Sequence, residues 1–296
     1  MRILVLRGGA LGDLILSLPV LSALRSEMRP SHLELWATYP HAELARPNLA
    51  DSVTDLNSVT ILPLLVRGDD FPRSLIERFA MVDLAVSYLF DPDQVICRRL
   101  GKAGVRKIVP GPHGVADELN HAVFQLAAPL RQLGVRLVDP VPKLLAEDQG
   151  SRLQRVAIHP GSGSAQKNWP IERWVNLASE IEKLPAELIV VTGEADKWVT
   201  AAFLGKYRSP QMKVCDSLPP LILAAELRRC RLFVGHDSGV THLAAAVGTP
   251  TVALFGPTDP AIWRPLGGHV TVVRSPSRTM QGIQFEEVLQ AVRERW

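Results

Sequence analysis

Short runs of aliphatic and β-branched residues alternate along the chain with longer segments of helical periodicity. This alternation is typical of parallel sheets built from βαβ units, so it predicts an α/β protein. Residues 52–70 fit neither period, and their structure stays open. The predicted strands of the first half are residues 3–6, 33–37, 84–88 and 107–109, and its predicted helices are residues 13–25, with apolar residues on one face, 72–80, 91–102 and 116–133.

The same alternation resumes after residues 139–153, where prolines and charges without clear periodicity indicate a linker. A length of 296 residues suits two domains, which we place at 1–145 and 146–296. Each is expected to be a doubly wound sheet that binds ligands beyond the carboxyl ends of its strands. The strands predicted in the second half are residues 156–159, 188–192, 213–215, 232–235 and 251–255, and the helices are one starting at Pro170 and residues 196–206, 220–229 and 239–247.

Composition narrows the class of protein further. Hydrophobic residues are 47% and charged residues 21%, which excludes a disordered or fibrous chain. The three cysteines form no C-x-x-C pair, so they indicate neither a zinc cage nor a disulfide framework and fit a reducing cytoplasm. We expect neither a signal peptide nor a membrane-spanning helix, while peripheral membrane contact stays open. A net charge of +3 without a clustered basic stripe argues against nucleic acid as a partner.

A glycine-rich turn, Arg7-Gly8-Gly9-Ala10-Leu11-Gly12-Asp13, follows the first predicted strand. Glycines allow a sharp turn and let a ligand approach the backbone. Asp13 opens the next helix, where it serves either as a helix cap or as a general base at the end of a strand. The sequence leaves both roles open.

A second small-residue loop, His-Pro-Gly-Ser-Gly-Ser-Ala-Gln-Lys-Asn-Trp-Pro, occupies residues 159–170. Its free amides and Lys167 have the chemistry to hold a phosphate, although a solvated loop lysine explains the pattern equally well. Glu194 follows the next predicted strand. It either accepts hydrogen bonds from ribose hydroxyls or is an ordinary acidic residue in a first helical turn.

The third and most specific segment is residues 233–250, in which a strand ends and a helix starts at Ser238 and Gly239. The N-terminus of that helix offers amides and positive potential to a diphosphate, and Asp237 could hold sugar hydroxyls. His242 lies one turn further on, either facing the same ligand or hydrogen-bonded in the core. Residues 255–260 close the following strand with a turn that could border a nucleotide.

Several familiar site patterns are absent or broken. The chain has no G-x-x-x-x-G-K-[ST], H-E-x-x-H or G-x-S-x-G, which disfavours a P-loop ATPase, a zincin and an α/β-hydrolase. Gln166 stands where a dinucleotide fingerprint beginning at Gly161 needs glycine. His236, Asp237 and Ser238 are neighbours in sequence and cannot form a hydrolytic relay. For Asp91-Pro92-Asp93 we favour a helix cap, with Pro at the first helical position, over a metal-bound diphosphate.

Taken together, the motifs resemble glycosyltransferase family 9, the ADP-heptose:lipopolysaccharide heptosyltransferases. The matching segments are Gly-Asp with Leu-Ser-Leu-Pro-Val-Leu (12–21), His-Pro-Gly-Ser with Lys-Asn-Trp-Pro (159–170), and Asp-Ser-Gly with His-Leu-Ala-Ala-Ala through Leu-Phe-Gly-Pro-Thr (237–258). The resemblance implies the GT-B fold, in which two Rossmann-like domains face a central cleft. It assigns the acceptor to the N-terminal domain and the nucleotide sugar to the C-terminal domain.

The resemblance also implies a reaction, an inverting transfer of heptose from ADP-heptose to a lipopolysaccharide inner-core sugar, with no metal and no cofactor. Asp13 would take the proton of the acceptor hydroxyl. Gly163 stands where some members carry a second hydroxyl, which leaves the donor sugar open. The implied donor contacts are Ser162, Gly163, Lys167, Glu194, Asp237, Ser238, Gly239 and His242, and the acceptor contacts are Gly9 and Gly12.

A basic stretch of the N-terminal half comprises Arg98, Arg99, Lys102, Arg106 and Lys107. We place Arg98 and Arg99 against the acidic groups of a lipopolysaccharide core or anionic lipid heads, with a solvated helix face as the alternative. We expect a cytoplasmic monomer, with peripheral contact at the inner membrane left open. Transfer of another sugar, nucleotide-sugar epimerisation and non-catalytic binding of a nucleotide sugar remain the rival functions.

Overall fold

A computed structural model of the chain describes residues 1–46, 48–65, 72–116, 120–144 and 150–296. These residues form two compact units, Met1–Pro140 (the N-terminal unit) and Val141–Trp296 (the C-terminal unit). The predicted division between residues 145 and 146 falls on 145–149, outside the described residues. Each unit contains one parallel sheet, which confirms the α/β class and the doubly wound architecture.

The described residues of the N-terminal unit form a five-stranded parallel sheet in the order β3-β2-β1-β4-β5. Strand β3 and the short helix α2 lie in the stretch that the sequence left open. The strands are β1 (Arg2–Arg7), β2 (His32–Ala37), β3 (Ser52–Asp55), β4 (Leu84–Ser87) and β5 (Lys107–Pro110), and the α-helices are α1 (Leu11–Met28), α2 (Leu62–Leu65), α3 (Arg73–Phe79), α4 (Val95–Lys102), α5 (Ala122–Leu126) and α6 (Ala128–Gln132).

Two helices of this unit differ from their predictions. Helix α4 begins at Val95 rather than at residue 91, because Gln94 adopts a left-handed backbone with φ of 55°. Asp91 still caps it, since its carboxylate accepts the amides of Ile96 and Cys97 at 3.1 and 2.9 Å. The single helix predicted over 116–133 is two helices, α5 and α6. Pro129 has no amide hydrogen and so cannot continue α5.

In the C-terminal unit the described residues form a six-stranded parallel sheet in the order β8-β7-β6-β9-β10-β11. Pro170 precedes the first helix as its N-cap instead of being its first residue. The strand Val270–Arg274 and the helices Pro260–Trp263 and Phe285–Arg295 were not predicted. The strands are β6 (Leu153–His159), β7 (Glu187–Thr192), β8 (Met212–Asp216), β9 (Cys230–His236), β10 (Thr251–Phe255) and β11 (Val270–Arg274), and the α-helices are α7 (Ile171–Glu182), α8 (Lys197–Lys206), α9 (Pro220–Arg228), α10 (Gly239–Ala246), α11 (Pro260–Trp263) and α12 (Phe285–Arg295).

Helix α1 is buried on most of its surface, not on one face as the sequence pattern suggested. Nearly every residue from Leu14 to Leu24 is buried, and the helix packs against α5 and α6. A helix that is apolar all round belongs to the core. The start of α1 is therefore held in place by packing along its whole length.

The strand order reverses once in each sheet. In the first sheet the strand that follows β1 lies on one side of the adjacent pair β1 and β4, and the strand that follows β4 lies on the other side. In the second sheet the strands that follow β6 and β9 likewise lie on opposite sides of that pair. At such a switch point the connections diverge, and the crevice beyond the strands' carboxyl ends is where ligands bind in doubly wound sheets. The glycine-rich turn follows β1, and the second and third motifs follow β6 and β9.

A buried carboxylate ties helix α3 to the N-terminal sheet. Glu34 on β2 accepts the Trp36 indole N–H at 2.6 Å and the Thr54 hydroxyl at 3.1 Å, and it forms an ion pair with Arg78 of α3. The Arg78 guanidinium also lies over the Trp36 ring, 5.1 Å from its centroid. A buried charge needs such partners, because its desolvation is otherwise uncompensated.

Replacing Arg78 with alanine should therefore lower the free energy of unfolding by about 2 kcal/mol, less than for a fully buried pair because Arg78 is partly exposed. Arg73→Ala on the same helix is the matched control. Its guanidinium is 92% exposed and pairs with Glu77 on the surface, so we expect a change within about 0.5 kcal/mol. Urea denaturation measures both, and equal effects would show that the Glu34 network does not stabilise the unit.

Candidate active site

Asp13 is the third residue of α1, at the carboxyl edge of the N-terminal sheet. Its Oδ2 accepts the Ala10 amide at 2.9 Å, and its Oδ1 lies 3.1 Å from Nη2 of Arg7. Asp13 therefore does cap the helix. The carboxylate remains 39% exposed, and each oxygen has a further lone pair to accept a proton. Capping and general-base roles are thus compatible at this position.

Arg7, the last residue of β1, is the partner that holds Asp13. It is buried, its Nε donates to the Asp13 carbonyl at 3.2 Å, and its guanidinium lies 5.7 Å from the Tyr88 ring centroid. Burial lowers the pKa of Arg7, and the nearby Asp13 charge opposes that shift. Arg7 is not among the predicted site residues, although an arginine that ends an apolar strand is a usable signal.

Gly9 is required by the position of Asp13. Its φ of 103° is a conformation that side chains rarely adopt, and a Cβ there would lie 2.6 Å from Oδ2 of Asp13. Gly12 is half-buried as the second residue of α1. The structure thus gives Gly9 a positioning role, while acceptor contact at Gly9 and Gly12 stays a prediction.

The loop after β6 is organised by Ser162. This buried hydroxyl lies 2.8 Å from both the Ser164 carbonyl and Oδ1 of Asn168, so its single hydrogen already has acceptors within the loop. Gly163 is exposed, and a Cβ there would meet nothing within 4 Å. For Ser162 this geometry supports a structural role in the loop, and contact of its hydroxyl with a diphosphate stays a prediction.

His236, the last residue of β9, forms hydrogen bonds with both ends of the same loop. Its Nε2 accepts the Trp169 amide at 2.9 Å, and its Nδ1 lies 3.2 Å from the Gly161 carbonyl. Complete burial lowers the pKa of His236 to about 3, so the ring is neutral and carries its proton on Nδ1. Sequence reasoning considered His236 only as part of a relay and missed this role.

Three predicted donor contacts come together at the switch point of the C-terminal sheet. Nζ of Lys167 lies 2.7 Å from Oδ2 of Asp237, and Nε2 of His242 lies 3.9 Å from Oδ1 of the same carboxylate. Asp237 is nearly buried, whereas Lys167 is partly open to solvent. Asp237 therefore positions the Lys167 ammonium group before an anionic ligand binds.

Helix α10 starts beside this ion pair. Ser238 is its N-cap, with Oγ 3.4 Å from the Thr241 amide, and Gly239 is its first residue. The Thr241 hydroxyl donates to the His236 carbonyl. The first amides of a helix lack intrahelical partners and carry the positive end of its dipole. Lys167 and this helix start are together suited to a diphosphate.

Glu194, a predicted donor contact, and the turn over residues 255–260, predicted to border a nucleotide, lie at the same edge of the sheet. Glu194 follows β7, is 80% exposed, and pairs with Lys197 at 2.7 Å. This carboxylate is accessible, and ribose binding by it stays a prediction. In the turn after β10, Asp259 caps α11 through the Ala261 amide at 3.0 Å and lies 3.6 Å from Arg274.

The predicted basic surface of the N-terminal unit does not form as a whole. Arg99 is only 5% exposed, and its Nε donates to the Pro63 carbonyl at 2.7 Å, so we remove it from the acceptor contacts. Arg106 pairs with Asp83 at 2.6 Å. Lys107 opens β5, so this part of the stretch lies at the amino ends of the strands, opposite the switch point. Arg98 is exposed on α4 and remains a candidate.

No group of three or more His, Cys, Asp or Glu side chains within the described ranges is placed to hold a metal ion. Asp91 uses both carboxylate oxygens to cap α4. No helix in the described part of the chain has the length and hydropathy needed to span a membrane.

The sequence model of one known protein family matches more than half of the chain. It is the model of glycosyltransferase family 9 (heptosyltransferase), and it matches residues 110–292. The chain belongs to glycosyltransferase family 9. Residues 110–292 include the loop after β6, the Lys167–Asp237 pair and the start of α10.

Individual family-9 proteins agree with this assignment. Lipopolysaccharide heptosyltransferase 2 of Salmonella typhimurium is 30% identical over 115 residues, which are 36% of this chain and 32% of that protein. The aligned region thus spans about a third of this curated relative. A family-9 glycosyltransferase structure from Veillonella parvula covers 99% of this chain and 96% of its own, with 19% identity and a TM-score of 0.81.

Two E. coli structures share the fold as well. ADP-heptose lipopolysaccharide heptosyltransferase II covers 100% of this chain and 98% of its own, with 18% identity and a TM-score of 0.81. The iron-containing, dodecameric glycosyltransferase TibC covers 91% of this chain and 63% of its own, with 15% identity and a TM-score of 0.56. At these identities the likeness establishes the two-domain GT-B fold.

Two glycines of the loop after β6 give a matched test of its geometry. A Cβ on Gly161 would overlap the Asp196 carboxylate, whereas one on Gly163 would meet nothing within 4 Å. Gly161→Ala should therefore lower the free energy of unfolding by about 2 kcal/mol, as overpacking a buried site typically does. Gly163→Ala should stay within about 0.5 kcal/mol. Thermal or urea unfolding decides, and a neutral Gly161→Ala would contradict the described packing.

Proposed function

We propose that this protein is a metal-independent, inverting glycosyltransferase that moves heptose from ADP-heptose to an inner-core sugar of lipopolysaccharide. One observation carries the proposal. The motifs of a family-9 chain lie at the switch points of its two sheets, with an accessible carboxylate in the N-terminal unit and a lysine–aspartate pair beside a helix N-terminus in the C-terminal unit. The relatives' names, which specify lipopolysaccharide and ADP-heptose, support the substrates.

The C-terminal unit binds the nucleotide sugar in this proposal. The diphosphate takes Lys167 from its ion pair with Asp237 and accepts the first amides of α10 around Gly239. Asp237, relieved of Lys167, accepts hydrogen bonds from hydroxyls of the transferred sugar, next to His242. Glu194 accepts from the ribose. A nucleoside diphosphate and a polyhydroxylated sugar together satisfy these groups.

The N-terminal unit binds the acceptor and supplies the base. The acceptor oxygen attacks the anomeric carbon, its proton moves to the Asp13 carboxylate, and the carbon–oxygen bond to the diphosphate breaks so that ADP leaves with the electron pair. Negative charge grows on the diphosphate during this step. Donors fixed by folding, such as Lys167, then stabilise the transition state more than the ground state.

Arg7 keeps the base in position during the reaction. Its guanidinium contacts both the Asp13 carboxylate and the Asp13 carbonyl, so the side chain cannot rotate away without losing a buried partner. The accessible Arg98 is the basic residue we retain for the acidic acceptor. In the same proposal the protein acts as a monomer at the cytoplasmic face of the inner membrane.

Asp13→Asn should lower turnover by about 10²–10⁴-fold, because the amide has the size of the carboxylate but cannot accept the proton, and its nitrogen cannot accept the hydrogen bond from Ala10 or Arg7. Binding of ADP should change less than twofold, since Asp13 does not hold the donor. The assay measures ADP release from ADP-heptose in the presence of a Kdo-containing inner-core acceptor, and calorimetry measures ADP binding. Near-normal turnover would exclude Asp13 as the base.

Asp93→Asn is the matched control, an exposed carboxylate in the segment before α4 and outside the proposed machinery. Its turnover should equal that of the unsubstituted protein, with and without EDTA. Loss of activity in Asp93→Asn, or loss of activity when EDTA is added, would favour a metal-bound diphosphate at Asp91-Pro92-Asp93. Conversion of the nucleotide sugar without an acceptor would instead indicate an epimerase, and binding without transfer would indicate a non-catalytic module.

A further inference from the structure

A buried histidine and carboxylate lie directly behind the N-cap of α10. Nε2 of His159 is 2.6 Å from Oδ2 of Asp196, and both side chains are buried. The other ring nitrogen, Nδ1, is 3.5 Å from Oγ of Ser238. His159 ends β6 and Ser238 follows β9, so this chain of contacts crosses the switch point. The donor site as described above does not use His159 or Asp196.

Asp196 is held firmly as a carboxylate. Burial alone would raise the pKa of Asp196, but hydrogen bonds from His159 and from the Gly193 amide outweigh burial and leave that pKa below its ordinary value. A Cβ on residue 161 would overlap the Asp196 carboxylate, so glycine at this position leaves room for it. The arrangement therefore fixes Nε2 of His159 as a donor to Asp196.

The direction of the remaining hydrogen bond depends on the charge of His159. In the neutral ring Nδ1 carries no proton, so it can only accept, and the Ser238 hydroxyl donates to it. Oγ of Ser238 meanwhile accepts the Thr241 amide. The Thr241 hydroxyl donates to the His236 carbonyl, and its oxygen lies 3.3 Å from Oγ of Ser238 as a second acceptor. In this state a ligand must compete with His159 and Thr241 for the Ser238 proton.

In the protonated ring both nitrogens donate. Nδ1–H then donates to Oγ of Ser238, and the hydroxyl hydrogen is released to point away from His159. We propose that His159, oriented by Asp196, is a positioning residue that turns Ser238 into a hydrogen-bond donor to the donor's diphosphate, and that diphosphate binding takes up a proton at His159. The inference rests on the proposed function and deepens its donor site.

The charges around His159 are consistent with this direction. Asp196 faces it from the turn before α8, with Oδ2 2.6 Å from Nε2 of His159. His236 on β9 is neutral because burial lowers its pKa to about 3. Lys167 and Asp237, next to Ser238, carry opposite charges that largely cancel. An incoming diphosphate adds negative charge beside Ser238, and the proposed proton uptake at His159 offsets part of that charge.

The test is calorimetry of ADP binding to the full chain from pH 5.5 to 8.5. ADP's own phosphate titration is common to all variants, so each affinity is compared with that of Ser238→Ala at the same pH. At the acidic end the unsubstituted protein should bind ADP about tenfold more tightly than Ser238→Ala, the effect of one charge-assisted hydrogen bond. At the alkaline end the ratio should approach one.

His159→Gln retains a hydrogen-bonding side chain but cannot change its charge. Its affinity relative to Ser238→Ala should not vary with pH, and the double variant should bind no more weakly than Ser238→Ala alone. A merely structural histidine would instead lower affinity equally at every pH. A pH-dependent ratio that survives in His159→Gln would overturn the inference.

A second readout needs no change at His159. Calorimetry in buffers of different ionisation enthalpy gives the number of protons taken up as ADP binds. The unsubstituted protein should take up more protons than Ser238→Ala within the same pH range, because binding and protonation are reciprocally linked. Equal uptake would refute the inference while leaving the proposed function intact. Failure of every variant to bind ADP would overturn both.

Discussion

Three of the four strands that flank the two switch points end in a buried side chain with polar nitrogens. Arg7 ends β1, His159 ends β6 and His236 ends β9. A polar group inside a core must find hydrogen-bond partners, because an unpaired one costs its full desolvation energy. Each of these three finds its partners in the connecting segments at the carboxyl edge. This requirement shapes the candidate site.

The consequences differ from strand to strand. Arg7 orients the Asp13 carboxylate, His236 holds the two ends of the loop that carries Lys167, and His159 reaches both Asp196 and the N-cap Ser238. The nearby glycines follow from the same contacts. A Cβ on Gly9 or Gly161 would collide with a carboxylate of these networks. The loops are thus arranged before any ligand arrives, which reduces the cost of ordering them on binding.

The sequence predicted the central strands well because buried parallel strands are continuous apolar runs. It missed β11, a partly exposed edge strand, and left β3 open for the same reason. Asp13, Lys167 and Asp237 could be proposed from the sequence because they are isolated polar residues in segments that follow predicted strands, and their roles stay predictions. Arg99 was misjudged because periodicity does not show where a long side chain ends, and its guanidinium turns inward to the Pro63 carbonyl. Arg7 and His236 were missed because their partners lie in loops whose shape no local pattern encodes.

The central claim is that the switch point of the C-terminal sheet binds the diphosphate of the donor. Hydrogen exchange of the full chain with and without ADP tests it most directly, because amides that acquire a ligand partner exchange more slowly. The account predicts slower exchange at residues 161–168 and 238–241, and unchanged exchange at β8 and α9. Protection confined to other segments, or none with ADP bound at saturation, would contradict it.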